Sequence, residues 1–249
     1  MAQPRRGAPT GATISWGVAG GARRDRGRSD FGPRGGGRLI GRITLGLYNC
    51  YDPKRWHDIM RITLARVGPV AMAFDCDVAT FGFPFEQARE RRAKVHAPLR
   101  TPADIAAFVA GGTSIGEGGE HFEALVRVGR FQAFPYPVGG FPSALGPAVA
   151  TTPRPDPVKA VPPLAVARDV AAGEARLLVY GLGPRGLPAE VLEAAPQHLE
   201  ITGKGVAMET ATALGALPAM LHAHLQHLGT HKARSAASAG GGGAGAVPR

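Results

Sequence analysis

The stretch that decides the fold runs from Leu177 to Leu221 and reads LLVYGLGPRGLPAEVLEAAPQHLEITGKGVAMETATALGALPAML. Apolar runs, glycine-bearing turns and helix-forming segments alternate along it, which is typical of α/β proteins with a mostly parallel sheet and helices on both faces. The pattern predicts four elements in order: strand Arg176–Tyr180, helix Pro188–Ala195, strand His198–Thr202 and helix Met208–Leu228.

The same alternation continues upstream, where the apolar run Ile43–Tyr48 predicts a buried strand. Asp52 and Pro53 suit the cap and first position of a helix, which we expect to end at Gly68–Pro69. The stretch Ala110–Pro147 receives no assignment. The remaining predicted elements are strand Val70–Phe74, a strand or turn at Val78–Phe83, helix Thr101–Val109, strand Ala148–Thr151 and helix Ala165–Ala172.

The positive charge of the chain lies mainly in its two ends. Of the net charge of +10, residues 1–40 carry +6 and the residues after Gly229 carry +3, which leaves +1 for residues 41–229. The ends are also rich in Gly, Arg and Ala, so we expect disordered tails at 1–40 and 231–249 around one folded domain at 41–230. Such basic tails attract phosphate backbones or are simply solvated.

Composition excludes several classes of protein. Cys50 and Cys76 fit neither a metal-binding spacing nor a disulfide framework, which favours a cytoplasmic location. The sequence shows no apolar run long enough for a membrane span and no secretory signal. His224, His227 and His231 share a helix face, but no carboxylate or cysteine joins them, so we expect no metal site.

Three turns follow predicted strands: Thr151–Pro153, Gly181–Gly186 and Thr202–Gly205. Open α/β sheets bind ligands at the carboxyl ends of their strands, and glycine lets a backbone approach a ligand closely. Ordinary tight turns would explain any one of them; three in this order favour a nucleotide-like cofactor. The second turn formally matches the dinucleotide fingerprint, but Pro184 and Pro188 break the helix that would hold a pyrophosphate.

The quoted stretch resembles the C-terminal signature of the SPOUT methyltransferases, whose pattern is strand, glycine loop, acidic segment, strand, glycine loop and small-residue helix. The core, including LGLYNCYDPKRW from Leu45 to Trp56, is also similar to an uncharacterised archaeal family in that class. The resemblance implies a C-terminal trefoil knot, S-adenosylmethionine as cofactor, tRNA or rRNA as substrate, and a homodimer.

The resemblance also implies that main-chain atoms of the three loops hold the cofactor. The matching positions here are Thr151, Thr152, Gly181, Leu182, Gly183, Gly186, Ile201, Gly203, Val206 and Met208. Where the family often carries Ser-Leu-Asn at the start of the last helix, this chain has Ala207-Met208-Glu209. That departure leaves the catalytic subtype open without affecting a cradle built from backbone.

Two side chains are candidates for the chemistry of the acceptor. Arg185, in the second loop, suits an RNA phosphate or a developing negative charge, and is equally well a solvated loop residue. Glu209 suits a base that orients the acceptor, or a glutamate favoured by the dipole at the start of a helix. Asn49 and Arg55, after the first strand, are weaker candidates for substrate contacts.

The last predicted helix carries an apolar stripe, which either packs on its own sheet or completes a dimer. Its members are Leu214, Leu217, Leu221, Leu225 and Leu228. The sequence as a whole predicts an S-adenosylmethionine-dependent RNA methyltransferase. The alternative is a non-catalytic RNA-binding or ribosome-associated protein with the same fold, favoured by the nearly neutral core and the missing triplet.

Overall fold

Six parallel strands form a single sheet in a computed structural model that describes residues 41–88, 99–112 and 116–240, with side chains described as far as residue 229. The order across the sheet is β3-β2-β1-β5-β4-β6, and every pair of neighbours is parallel. The strands are β1 Ile43–Asn49, β2 Asp77–Phe81, β3 Phe131–Phe134, β4 Ala148–Thr151, β5 Arg176–Leu182 and β6 Gln197–Leu199. The predicted α/β class and parallel sheet are confirmed.

Helices cover both faces of this sheet unequally. The helices are α1 Asp58–Ala73, α2 Pro102–Gly111, α3 Gly118–Arg127, α4 Pro163–Ala171, α5 Ala189–Ala194 and α6 Thr210–Gly240. Side chains alternate along each strand, so that Leu45 and Leu47 point into one core and Tyr48 into the other. The first core packs against α1, α2, α3, α4 and α6, and the second against α5 and the segment before β4.

The start and end of α1 differ from the prediction. Asp52 does not cap a helix; its carboxylate accepts a hydrogen bond from the Lys54 amide at 2.9 Å in a turn, and α1 begins at Asp58. The helix also continues through Pro69, so the predicted strand Val70–Phe74 is wrong over most of its length. A short apolar run cannot separate a buried strand from the last turn of a buried helix, and here the helix is the outcome.

Helix α3 and strand β3 lie in the stretch that the sequence left unassigned. Helix α3 packs on α1 and α2, and β3 adds an edge strand beside β2. Gly68 lies where a bulkier residue would be excluded, because an added Cβ would lie 2.6 Å from the Phe122 nitrogen of α3. This contact brings α1 and α3 close together and extends the first core beyond β2.

The last helix ends later than predicted. Helix α6 continues to Gly240, although a disordered tail was expected from residue 231. The added stretch is rich in Ala, Lys and Arg, which have high helix propensity, so low apolar content did not end the helix. The expected tail at 1–40 and residues 241–249 lie outside the described part of the chain.

Candidate ligand-binding cleft

A cleft of about 720 Å³ opens at the carboxyl ends of β4 and β5, and a smaller cavity of about 60 Å³ adjoins it beside β6. The first loop (Thr151–Arg154), the second loop (Gly181–Leu187) and the start of α6 line the cleft. All the residues predicted to bind the cofactor or to act in catalysis, except Gly203, line one cavity or the other. The topology causes this convergence, because β4 lies between β5 and β6 and all three strands end at one edge.

The first loop is fixed by its own threonines. The hydroxyl of Thr151 donates to the Val179 carbonyl at 3.0 Å, and the amide of Thr152 donates to the Leu199 carbonyl at 3.1 Å. The Thr152 hydroxyl in turn accepts from the Arg154 amide at 3.2 Å. These side chains therefore shape the loop, and the loop presents its remaining backbone groups to the cleft.

The glycines of the second loop serve the protein in two different ways. A Cβ on Gly181 would lie 2.6 Å from the Gly186 carbonyl carbon, and one on Gly183 would lie 2.8 Å from the Cys50 Cβ. Gly186 has φ of +70° and nothing within 4 Å of its added Cβ. Close packing thus requires the first two glycines, and backbone conformation favours the third.

The third loop closes around the carboxylate of Glu200. One oxygen accepts from the Thr202 hydroxyl at 2.6 Å, and the other accepts from the Gly203 amide. Partial desolvation raises the pKa of Glu200, but hydrogen bonds from Thr202, Gly203 and Gly205 outweigh it and leave the pKa below its usual value. The carboxylate therefore stays ionised near neutral pH. Gly203, at φ of +68°, shapes the loop without lining a cavity.

The two predicted catalytic side chains lie at the mouth of the cleft. Arg185 is exposed, and within the described residues its guanidinium has no hydrogen-bond or ion-pair partner. Glu209 is also exposed, and its Oε2 accepts from the amides of Ala211 at 3.1 Å and Thr212 at 3.3 Å. Glu209 thus caps the start of α6, in agreement with the interpretation as a glutamate favoured at the start of a helix. Its Oε1 has no hydrogen-bond partner among the described residues.

Sequence reasoning missed part of the cleft wall. Arg154, exposed like Arg185, lines the cleft on the first loop, while Tyr51 and Ile59 line it from the segment after β1. A signal existed, because β1 lies beside β5 and its carboxyl end must reach the same edge. The residues chosen from that segment were different ones: Asn49 is 1% exposed and donates to the Gly82 carbonyl at 2.9 Å, and Arg55 does not line the cleft.

The described cysteine nearest the cleft is not suited to nucleophilic chemistry. Burial raises the pKa of the Cys50 thiol to about 11, and its Sγ donates weakly to the Tyr48 carbonyl at 3.4 Å. A neutral thiol is a poor nucleophile at pH 7. Its role is packing, since its Cβ lies against Gly183.

Within the part of the chain whose side chains are described, no group of three His, Cys, Asp or Glu residues is placed to hold a metal ion. The side chain of His231, one of the three histidines considered above, lies outside the described part. The described helices also include none that combines the length and apolar character needed to cross a membrane.

The chain matches a family model described as "Protein of unknown function (DUF531)" over residues 43–222. It is 34% identical over 191 residues to an uncharacterized protein of Methanocaldococcus jannaschii. The matched stretch covers 77% of this chain and 99% of the relative. The expectation of an uncharacterised family with archaeal members is thereby confirmed.

Several solved structures are similar to the chain. A probable methylase family protein from Haemophilus influenzae Rd KW20 has a TM-score of 0.49 at 14% identity, covering 78% of this chain and 70% of that one. A probable methyltransferase from Bordetella pertussis Tohama I has a TM-score of 0.46 at 14% identity, and the match covers 74% of this chain and 96% of that one. A TrmH/SpoU tRNA modifying enzyme of A. aeolicus has a TM-score of 0.43 at 16% identity, and the match covers 78% of this chain and 82% of that one.

Proposed function

The chain belongs to the DUF531 family of proteins of unknown function, and we propose that it is an S-adenosylmethionine-dependent methyltransferase that acts on tRNA or rRNA. The observation that carries the proposal is the cleft itself. Two of the three loops named from the sequence as a cofactor cradle line a volume of about 720 Å³ at one edge of the sheet, together with the start of α6. Ile201 and Val206, on either side of the third loop, line the smaller cavity that adjoins it. The larger volume lies within the range of roughly 300–1,000 Å³ typical of small-molecule sites.

The residues of the cleft fit a small cofactor held mainly by backbone. Apolar groups from Leu182, Leu187 and Met208 line it together with the open backbone at Gly186. When bound, S-adenosylmethionine would supply an electrophilic methyl group on its sulfonium. The chain's own part is to hold that group in line with the acceptor and to exclude competing water, and such positioning accounts for a large share of catalysis in two-substrate reactions.

Arg154 and Arg185 are the side chains best placed to receive the RNA. Both guanidiniums are exposed, line the cleft and have no charged partner within the described residues. Planar guanidiniums pair with phosphate through two parallel hydrogen bonds. Glu209 keeps Oε1 for the acceptor while Oε2 caps α6, so it can orient a ribose hydroxyl or a ring nitrogen.

The second candidate function is RNA binding without catalysis. It is favoured by the capping role of the Glu209 carboxylate and by the nearly neutral domain between the basic ends. The two candidates differ in one measurable property. A methyltransferase must bind S-adenosylmethionine and its product S-adenosylhomocysteine, whereas a binding protein that only keeps the fold need not.

The trefoil knot and the homodimer are further parts of the proposal. The leucine stripe gives the dimer no support, because Leu214, Leu217 and Leu221 are at most 1% exposed within one chain and pack in its first core. Sedimentation velocity at micromolar concentration is the direct test. We expect a dimer on the strength of the sequence resemblance, and a monomer at that concentration would remove this part of the proposal.

Isothermal titration with S-adenosylhomocysteine, followed by a methyl-transfer assay on total tRNA and rRNA, tests the proposed function. We expect Arg185→Ala to keep the cofactor affinity within about threefold and to lower methyl transfer at least tenfold, the effect of losing one charge-assisted contact of about 1.5–3 kcal/mol. Arg168→Ala, which removes an exposed arginine of α4 that does not line the cleft, is the matched control. A wild-type protein that binds neither form of the cofactor at millimolar concentration would leave only the second candidate.

A further inference from the structure

The imidazole of His198 contacts both the segment after the first loop and helix α5. It lies on β6, is 4% exposed and does not line the cavity. Its Nδ1 accepts a hydrogen bond from the Asp156 amide at 3.0 Å, and its Nε2 lies 2.8 Å from the Leu192 carbonyl. An amide can only donate and a carbonyl can only accept, so the contacts assign a neutral ring with its proton on Nε2.

The two partners belong to segments that form the cleft. Asp156 follows the first loop, which lines the cleft from Thr151 to Arg154, and Leu192 lies on α5 and lines the cleft directly. The backbone pairs at the same place, because the His198 amide donates to the Lys159 carbonyl at 2.8 Å and the Val161 amide donates to the His198 carbonyl at 2.9 Å. The side chain thus spans the gap between a segment already paired to β6 and the end of α5.

The ammonium of Lys159 lies beside His198 and disfavours a second positive charge there. The Lys159 ammonium donates to the same Leu192 carbonyl at 3.1 Å and to the Glu193 carbonyl at 2.6 Å. The Asp156 carboxylate is engaged in its own turn, where it accepts from the Val158 amide at 2.9 Å. Helix α5 faces the ring with backbone carbonyls, its acidic side chains being Glu190 and Glu193, and β4 (Ala148–Thr151) carries no charged residue.

We propose that neutral His198 is a positioning residue that holds the first loop against α5 in the shape that accepts the cofactor, and that its protonation releases the loop and weakens cofactor binding. A proton on Nδ1 would face the Asp156 N–H, so the hydrogen bond that fixes the loop is lost. The cofactor-bound form therefore binds one proton fewer than the released form, and affinity falls as pH falls. This inference rests on the proposed function for its ligand, although the contact between His198 and the loop does not.

The test is titration of the full chain with S-adenosylhomocysteine between pH 8 and pH 5.5. We expect the wild-type Kd to rise with falling pH, approaching tenfold per pH unit, the limit for one linked proton. Glu200 does not interfere, because its pKa lies below the usual range of glutamate. His198→Asn places an amide oxygen where Nδ1 accepts and cannot titrate, so its Kd should stay flat across the range. His198→Leu should bind at least tenfold more weakly at pH 8.

Amide hydrogen exchange at Asp156 reports on the loop without any ligand. Protection should be present at pH 8 in the wild type and His198→Asn, lost in His198→Leu, and lost in the wild type at pH 5.5. His222→Gln, a substitution on α6 beside Phe74, should keep the wild-type pH dependence. Circular dichroism confirms that each variant is folded at each pH.

Three outcomes would overturn the proposal: a wild-type Kd that does not change with pH, a His198→Asn variant that keeps the wild-type dependence, or an Asp156 amide equally protected in His198→Leu. A wild type that binds no S-adenosylhomocysteine at pH 8 would instead remove the proposed function. In that case, exchange at Asp156 still decides whether His198 holds the loop.

Discussion

Gly183→Val should cost about 3 kcal/mol of folding free energy, at the upper end of the usual cost of overpacking a core. The added Cβ would lie 2.8 Å from the Cys50 Cβ and 3.1 Å from the Cys50 backbone, and the backbone cannot move without disturbing β1. The Cys50 amide is also bonded to the Leu182 carbonyl at 2.9 Å, so the two segments cannot separate freely. Urea unfolding measures the loss, and a melting temperature lower by roughly 10 °C should accompany it.

Two sets of variants separate packing from backbone conformation. Gly186→Ala and Gly203→Ala meet open space but keep φ near +70°, so each should cost only about 1–2 kcal/mol. Gly183→Ala combined with Cys50→Gly should recover part of the loss of Gly183→Ala alone, because the Cβ that it meets is gone. If Gly183→Val were as stable as the wild type and lost only cofactor binding, the glycine would face the ligand and not Cys50.

Much of the fold was predictable because the C-terminal half obeys local rules. Strands β4 and β5 are short apolar runs bounded by turns, α5 follows β5 where it was predicted, and α6 begins within two residues of its predicted start. The error at α1 arose because a proline usually interrupts a helix. Here α1 continues through Pro69, and its packing against α3 and α6 stabilises the helix. Helix α3 and strand β3 depend on contacts with α1 and β2, which no local pattern reveals.

The position of the cleft was predictable and the contacts of each side chain were not. Parallel strands end at one edge, so three loops after β4, β5 and β6 had to meet. Whether a glycine faces a ligand or a neighbouring strand depends on the tertiary approach of Cys50 to Gly183, and sequence spacing does not contain it. The contacts of His198 also depend on tertiary structure, because the sequence shows it only as one residue of a predicted strand.

Ala213→Phe should abolish cofactor binding while leaving the protein folded. Ala213 is half-buried on α6 and lines both the large cleft and the smaller cavity beside β6, so a phenyl ring there would fill the junction between them. We expect the affinity for S-adenosylhomocysteine to fall more than about 100-fold, equivalent to roughly 3 kcal/mol. The ring enters open space, and stability should therefore change by less than about 1.5 kcal/mol, the usual limit for well-accommodated substitutions.

Thr212→Phe is the matched control, because it adds the same ring on the neighbouring residue, which is exposed and lines neither cavity. Its affinity for S-adenosylhomocysteine should remain within about threefold of the wild type, a change of less than about 1 kcal/mol. Titration calorimetry and thermal melting of both variants give the two readouts together. Undiminished binding by a folded Ala213→Phe variant would mean that the cofactor lies elsewhere, since a ligand of this size cannot share the junction of the two cavities with a phenyl ring.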